Sequence, residues 1–81
     1  MPTVLRIAGF RVMIYTRDHE PMHVHVWHQG NETVIRFETE IVLLEVNGMS
    51  RQEVKRALGI VHEHQSFLAE KWRQIYGDDD R

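Results

Sequence analysis

The sequence predicts an α+β fold, an antiparallel meander of four to five strands packed against one long C-terminal helix. Two patterns indicate this arrangement. Apolar and polar residues alternate along much of residues 4–37, which is typical of strands that bury one face. After residue 50, apolar residues recur at spacings of three, four and seven, which is typical of an amphipathic helix. A series of strands followed by a helix favours a domain in which the helix covers one face of the sheet.

Turn residues divide the first part of the chain into five expected strands. Ala8 and Gly9 form a turn, and a polar segment that ends at Pro21 forms a loop. Gly30 and Asn31 are typical of a two-residue hairpin turn. The expected strands are residues 4–7, 10–16, 22–28, 33–37 and 41–46.

The helix is expected to begin at Ser50. Ser50 and Glu53 match a capping box, in which each side chain satisfies a backbone N–H group of the other residue. Gly59 weakens the helix by roughly 1 kcal/mol relative to alanine, and Gly77 ends it. The expected apolar stripe of the helix is Val54, Leu58, Val61, Leu68, Trp72 and Ile75.

The turns also suggest a strand register. We pair Gln29 with Glu32 across the later hairpin. In the preceding hairpin we pair Ile14 with Val24. Apolar residues then face apolar residues in both hairpins, which is what fixes a register. The expected core is Val12, Ile14, Val24, Val26, Ile35, Phe37, Val54, Leu58, Val61, Leu68 and Trp72. The opposite face, exposed or covered by another chain, is expected to carry Arg11, Tyr15, His23, His25, Trp27, Arg36 and Glu38.

Composition limits the classes of function. The chain has no cysteine, which excludes disulfides, thiolate nucleophiles and sulfur-ligated zinc. Its formal charge is −2, without the strong basic balance of many nucleic-acid-binding domains. The sequence has neither a long apolar run nor a start typical of a signal peptide, so we expect a soluble cytoplasmic protein. We expect a single domain over residues 1–77 and a frayed acidic tail at residues 78–81.

A histidine cluster marks the expected site. Four of the six histidines fall within residues 19–28. Imidazole is a common metal ligand and the side chain that titrates closest to physiological pH, so such a cluster indicates function. The register above places His25 opposite Arg36 and His23 opposite Glu38.

Three interpretations of this cluster remain open. In the acid–base interpretation, which suits RNA cleavage, one imidazole takes a proton, another gives one, and arginine holds a phosphate. The residues in these roles are His19, His23, His25 and Tyr15 as catalytic groups, and Arg11 and Arg36 on the phosphate. In the metal interpretation, His23 and His25 bind zinc together with a third ligand and a water molecule. That third ligand is either His19 or Glu38. In the last interpretation, the histidines belong to a polar sheet face and are hydrogen-bonded to neighbouring carboxylates.

Three segments of the chain resemble a family of small bacterial proteins, domain of unknown function family 4160. They are residues 1–10, 18–26 and 48–55. The residues that match the family's H-x-P-x-H-V-H string are His19, Pro21, His23 and His25. The resemblance implies a bacterial, cytoplasmic protein and a place in toxin–antitoxin-like gene pairs, with a small cognate partner protein. It implies no particular activity.

Two functions are expected from these observations. The first is a small toxin-like module that acts on RNA through its histidine-rich sheet face, as a ribonuclease. The alternative is a module without turnover that binds a metal, with zinc as the expected ion, or a protein partner. Bound zinc favours the second function, whereas metal-independent RNA cleavage with a bell-shaped pH profile favours the first. No membrane association is expected.

Overall fold

A computed structural model describes residues 3–15 and 21–77 and has the predicted α+β architecture. Five strands form one antiparallel sheet in the order β1-β2-β3-β4-β5, which is the predicted meander. The strands are β1 Thr3–Ile7, β2 Phe10–Met13, β3 His23–His28, β4 Asn31–Arg36 and β5 Val42–Asn47. No helix within the described part of the chain is long and apolar enough to cross a membrane.

Strands β2 and β3 pair in the predicted register. Arg11 lies opposite Trp27, and Met13 lies opposite His25. The alternation of apolar residues was sufficient here, because a slip by one residue would turn the apolar side chains away from the core. Residues 16–20, which connect toward β3, lie outside the described residues.

The turn between β3 and β4 differs from the prediction by one position. Gln29 and Gly30 are its central residues, with φ of 52° and 82°, and His28 pairs with Asn31. This is the backbone of a type I′ turn, in which both central residues have positive φ and glycine commonly takes the second position. Glycine therefore stands second in this turn, whereas the prediction placed it first.

That difference shifts the β3–β4 register by two residues. His25 lies opposite Val34 rather than Arg36, and His23 lies opposite Arg36 rather than Glu38. Both predicted pairings were therefore wrong. Because side chains alternate with period two, a shift of two residues changes the partners and keeps every side chain on its predicted face.

The C-terminal part forms two helices rather than one long helix. Helix α1 spans Arg51–Glu63 and helix α2 spans Gln65–Tyr76, with His64 between them at φ −114° and ψ 24°. The His64 ring Nδ1 donates to the Ile60 carbonyl at 2.9 Å, and the His64 backbone N–H donates to the same oxygen at 3.1 Å. A side chain that enters the helical hydrogen-bond ladder is a known cause of kinks. The predicted weak point at Gly59 lies inside α1.

The core lies between the helices and one face of the sheet, and most of the predicted core residues are buried. The exceptions are Val54 and Leu58, which are only partly buried. The buried face of α1 is instead centred on Ala57, Ile60 and Val61. The predicted stripe included Val61 but omitted Ala57 and Ile60, so it was rotated away from the face that α1 buries.

Candidate functional site

His25 is held on both sides by neighbouring side chains. The period of β3 places it on the sheet face opposite the helices, because Val24 and Val26 on either side are fully buried in the core. Its ring Nδ1 lies 2.8 Å from Glu32 Oε2, and its ring stacks on Tyr15 with centroids 4.0 Å apart and planes at 5°. The His25 and Glu32 side chains are 13% and 18% exposed, so both are largely shielded from water while still reachable.

Hydrogen bonds extend from this pair along the sheet. Trp27 Nε1 donates to the Tyr15 hydroxyl at 3.1 Å, and Asn47 Nδ2 donates to Glu32 Oε1 at 3.5 Å. Glu32 lies directly opposite Trp27 and reaches His25 across the diagonal, which is within range for a long side chain. The contacts fix the position of the imidazole from the segment after β2, from β4 and from β5.

His23 lies next to His25 on the same face. The two rings are 5.4 Å apart at 62°, and the His23 ring is also 5.7 Å from Trp72 of α2. His23 Nδ1 lies 2.9 Å from the Pro21 carbonyl oxygen, and Arg36 is its partner on β4. His23 therefore occupies the end of the sheet where the last helix passes.

Both imidazoles have a defined tautomer in the neutral state. A carbonyl oxygen and a carboxylate oxygen only accept hydrogen bonds, so Nδ1 of His23 and Nδ1 of His25 carry protons. The lone pair of each neutral ring is then on Nε2. Two adjacent nitrogen bases of this kind can exchange protons with a substrate or bind a metal ion.

The helix end also contacts this site. The Tyr76 hydroxyl at the end of α2 donates to the backbone carbonyl of Tyr15, and its ring packs 4.4 Å from Trp72. Tyr15 is thus held through its backbone by α2 and through its ring by His25.

The structure brings together only some of the predicted site residues. Tyr15, His23 and His25 meet, and Arg36 lies across from His23. Arg11 lies beside Trp27, closer to the other end of β3. Glu38 is exposed and follows the end of β4.

His19 lies outside the described residues, so its predicted roles as catalytic group and metal ligand stay predictions. Within residues 3–15 and 21–77, no group of three histidine, aspartate or glutamate side chains could hold a metal ion.

Sequence reasoning missed Glu32, the carboxylate that binds His25. In the predicted register, Glu32 lies beside the turn opposite Gln29, and Arg36 is the residue opposite His25. A type I′ turn with glycine second would have moved Glu32 opposite Trp27, so the signal was present in the hairpin sequence.

A second histidine–glutamate pair lies on the helix face of the sheet. His28 Nδ1 is 2.6 Å from Glu53 Oε2, and the His28 ring stacks 4.1 Å from Phe10. The other oxygen of Glu53 accepts the Ser50 backbone N–H at 2.7 Å, which completes the predicted capping box. The Ser50 N–H bond first, and then the bond to His28, hold the pKa of Glu53 below its ordinary value.

A comparison with known proteins identifies the family of this chain. Residues 9–73 match the model of the family described as Domain of unknown function (DUF4160). The chain belongs to this family. The matched region contains both histidine–glutamate pairs and all of helix α1. No curated protein and no solved structure matches the chain.

Proposed function

We propose that this protein is a small bacterial, cytoplasmic module of the toxin–antitoxin type that cleaves RNA at the Tyr15, His23 and His25 face. The observation that carries the proposal is the fixed position of His25 between the Glu32 carboxylate and the Tyr15 ring, with a second imidazole 5.4 Å away. A base held by a carboxylate is the arrangement that general acid–base catalysis requires.

The reaction needs one proton acceptor and one proton donor. His25 Nε2 takes the proton of an RNA 2′-hydroxyl while the hydroxyl oxygen attacks the adjacent phosphorus. The bond between phosphorus and the 5′-oxygen breaks, and the protonated His23 gives its Nε2 proton to that oxygen. The products are a 2′,3′-cyclic phosphate and a 5′-hydroxyl.

The neighbouring residues support these roles. Glu32 accepts a hydrogen bond from the Nδ1–H group of His25 and stabilises the imidazolium that forms. Arg36, the partner of His23 on β4, supplies a fixed positive charge for the phosphate. Tyr15 keeps the His25 ring in its plane by stacking.

The test is cleavage of a labelled single-stranded RNA by the untagged protein in the presence of EDTA. We expect a bell-shaped pH profile, and a rate loss of about 10²- to 10⁴-fold in His25→Ala or His23→Ala. His62→Ala is the matched control, because His62 is exposed on α1 and should retain full activity. An unchanged rate in both site variants would contradict the proposal.

The alternative function is zinc binding without turnover. Metal-bound histidines usually donate their other ring N–H to a carboxylate or a backbone carbonyl, and both His25 and His23 make such a bond. Titration calorimetry of the untagged protein with zinc tests this alternative. Stoichiometric binding that is lost in both histidine variants, without RNA cleavage, favours the alternative.

The alternative function also includes binding of a protein partner, and strand β5 supports it. This edge strand exposes Leu43, Leu44 and Val46 at 40%, 47% and 43%. An apolar edge strand can add a strand from another chain. Co-purification with the product of the adjacent gene, and its loss in Leu44→Lys, would support this form. Co-purification that survives Leu44→Lys would count against it.

A further inference from the structure

A groove crosses the sheet at the end opposite His23. It has a volume of about 570 Å³ and lies between the Ala8–Gly9 turn and the Gln29–Gly30 turn. Arg6, Arg11 and Trp27 form part of its wall. This volume is within the range of sites that hold small molecules or single residues of a polymer.

Two arginines of the groove form a pair of like charges. Arg6 lies directly opposite Arg11 across β1 and β2, and both side chains are exposed. Among the residues that the structure describes, no carboxylate forms an ion pair with either guanidinium. Like charges directly opposite each other destabilise a strand pair, so a bound anion would relieve their repulsion. Two guanidinium groups side by side suit the oxygen atoms of a phosphate.

Trp27 provides a flat surface beside this pair. It lies opposite Arg11, it is half-buried, and its Nε1 is bonded to the Tyr15 hydroxyl, so the orientation of the indole is fixed. An aromatic side chain next to arginines is a common element of single-stranded nucleic-acid sites, where bases stack and phosphates bind.

We propose that the groove binds one nucleotide unit of single-stranded RNA, with a phosphate on Arg6 and Arg11 and a base on Trp27. This inference rests on the proposed function and adds a binding subsite to it. Trp27 and His25 are two residues apart on one face of β3, about 7 Å along the strand, so one RNA strand can contact both. The predicted phosphate role of Arg11 is thereby placed in the groove and not beside His23.

The test measures binding with an oligonucleotide that cannot be cleaved. A labelled 2′-O-methyl single strand lacks the nucleophilic hydroxyl, so fluorescence anisotropy reports affinity alone. We expect the double variant Arg6→Gln, Arg11→Gln to bind at least tenfold more weakly. The slope of log affinity against log salt should fall by about 0.7, because the two arginines hold one phosphate and each phosphate contact contributes about 0.7.

The matched control is Arg51→Gln, Arg73→Gln, which removes the same charge from exposed positions on the two helices. We expect its affinity to stay within twofold of the unaltered protein. Equal losses in both double variants would show a general charge effect and would overturn the groove site. Unchanged affinity in the groove variant would overturn it as well.

Trp27→Leu tests the base contact separately, with a thermal melt to confirm that the variant is folded. We expect weaker oligonucleotide binding with an unchanged salt slope, since stacking involves no phosphate. Unchanged affinity in a folded Trp27→Leu variant would remove the base contact from the proposal.

A parallel titration with AMP distinguishes an RNA strand from a free nucleotide as the ligand of the groove. Binding of AMP as tight as that of the oligonucleotide would contradict RNA as the ligand and assign the groove to a free nucleotide.

The groove site and the proposed reaction can fail independently. If the groove variant loses oligonucleotide binding but the unaltered protein does not cleave RNA, the groove site is supported and only the proposed reaction is rejected.

Discussion

Two histidines of strand β3, His25 and His28, each bond a glutamate through Nδ1. The two pairs differ in the partner of the second carboxylate oxygen. Glu53 divides its two oxygens between His28 and the backbone N–H of Ser50, so it joins the start of α1 to the sheet. Glu32 binds His25, and its other oxygen accepts a long 3.5 Å bond from Asn47. The comparison teaches that a carboxylate on an imidazole is not by itself a sign of catalysis. Glu53 links a helix to the sheet, whereas in the proposed function Glu32 orients the base His25.

The largest expected effect separates the two glutamates by activity. Glu32→Gln should slow RNA cleavage by about 10²-fold or more, because an amide no longer stabilises the imidazolium of His25 and permits the wrong ring tautomer. Glu53→Gln should leave the rate per folded molecule unchanged. The measurement is initial-rate RNA cleavage, normalised by circular dichroism to the folded fraction. If both variants lose activity equally, the distinction between the pairs is wrong.

The next effect separates the pairs by stability. Ser50→Ala removes the hydroxyl that accepts the Glu53 N–H at 3.1 Å, and loss of such an N-cap typically costs about 1 kcal/mol of the free energy of unfolding. Urea denaturation measures this cost. RNA cleavage per folded molecule should not change, because Ser50 bonds Glu53 on the helix face of the sheet, opposite the face of His25. A cleavage defect in Ser50→Ala would mean that the two faces of the sheet are coupled.

The pH dependence of the free energy of unfolding tests the structural role of Glu53 in a second way. The pKa of Glu53 is lowered on folding, so its contribution to stability is present above the ordinary value of 4.5 and is lost as the pH falls through the lower folded value. Acid unfolding followed by circular dichroism should therefore begin below about pH 4.5. In Glu53→Gln this part of the pH dependence should be absent. An identical acid transition in that variant would show that other carboxylates control it.

The smallest effect concerns the weak contact of Glu32. Asn47→Ala removes an exposed 3.5 Å bond, and we expect a change of less than about 0.5 kcal/mol in the free energy of unfolding. The cleavage rate should change by less than threefold, since the 2.8 Å bond from Glu32 to His25 remains. A large rate loss would show that Asn47 positions the carboxylate.

Much of the fold could be predicted because alternation along a strand is a strong constraint. It assigned five strands, the β2–β3 register and the shared face of His23 and His25. It could not fix the β3–β4 register, since a shift of two residues satisfies the same apolar pattern. For that reason Glu32 was missed and Arg36 was assigned to the wrong histidine.

The remaining errors come from contacts that a periodic pattern does not contain. The kink at His64 depends on a ring nitrogen that bonds the carbonyl of Ile60. The pair between Glu53 and His28 joins residues 25 positions apart, so the capping box was predictable and its second contact was not. The combination of Arg6 with Arg11 in one groove depends on the turn that brings β1 against β2.

The bond from Tyr76 to the backbone of Tyr15 has a consequence for cooperativity. Tyr15 lies just before residues 16–20, the segment that carries His19, and Met22 beyond that segment is fixed by a 3.0 Å bond from the Phe37 N–H. The last turn of α2 therefore anchors the backbone just after β2. If this turn opens, the backbone at Tyr15 loses its anchor. Amide hydrogen exchange should consequently show the end of α2 and the backbone at Tyr15 opening as one unit, although 61 positions of sequence separate Tyr76 from Tyr15.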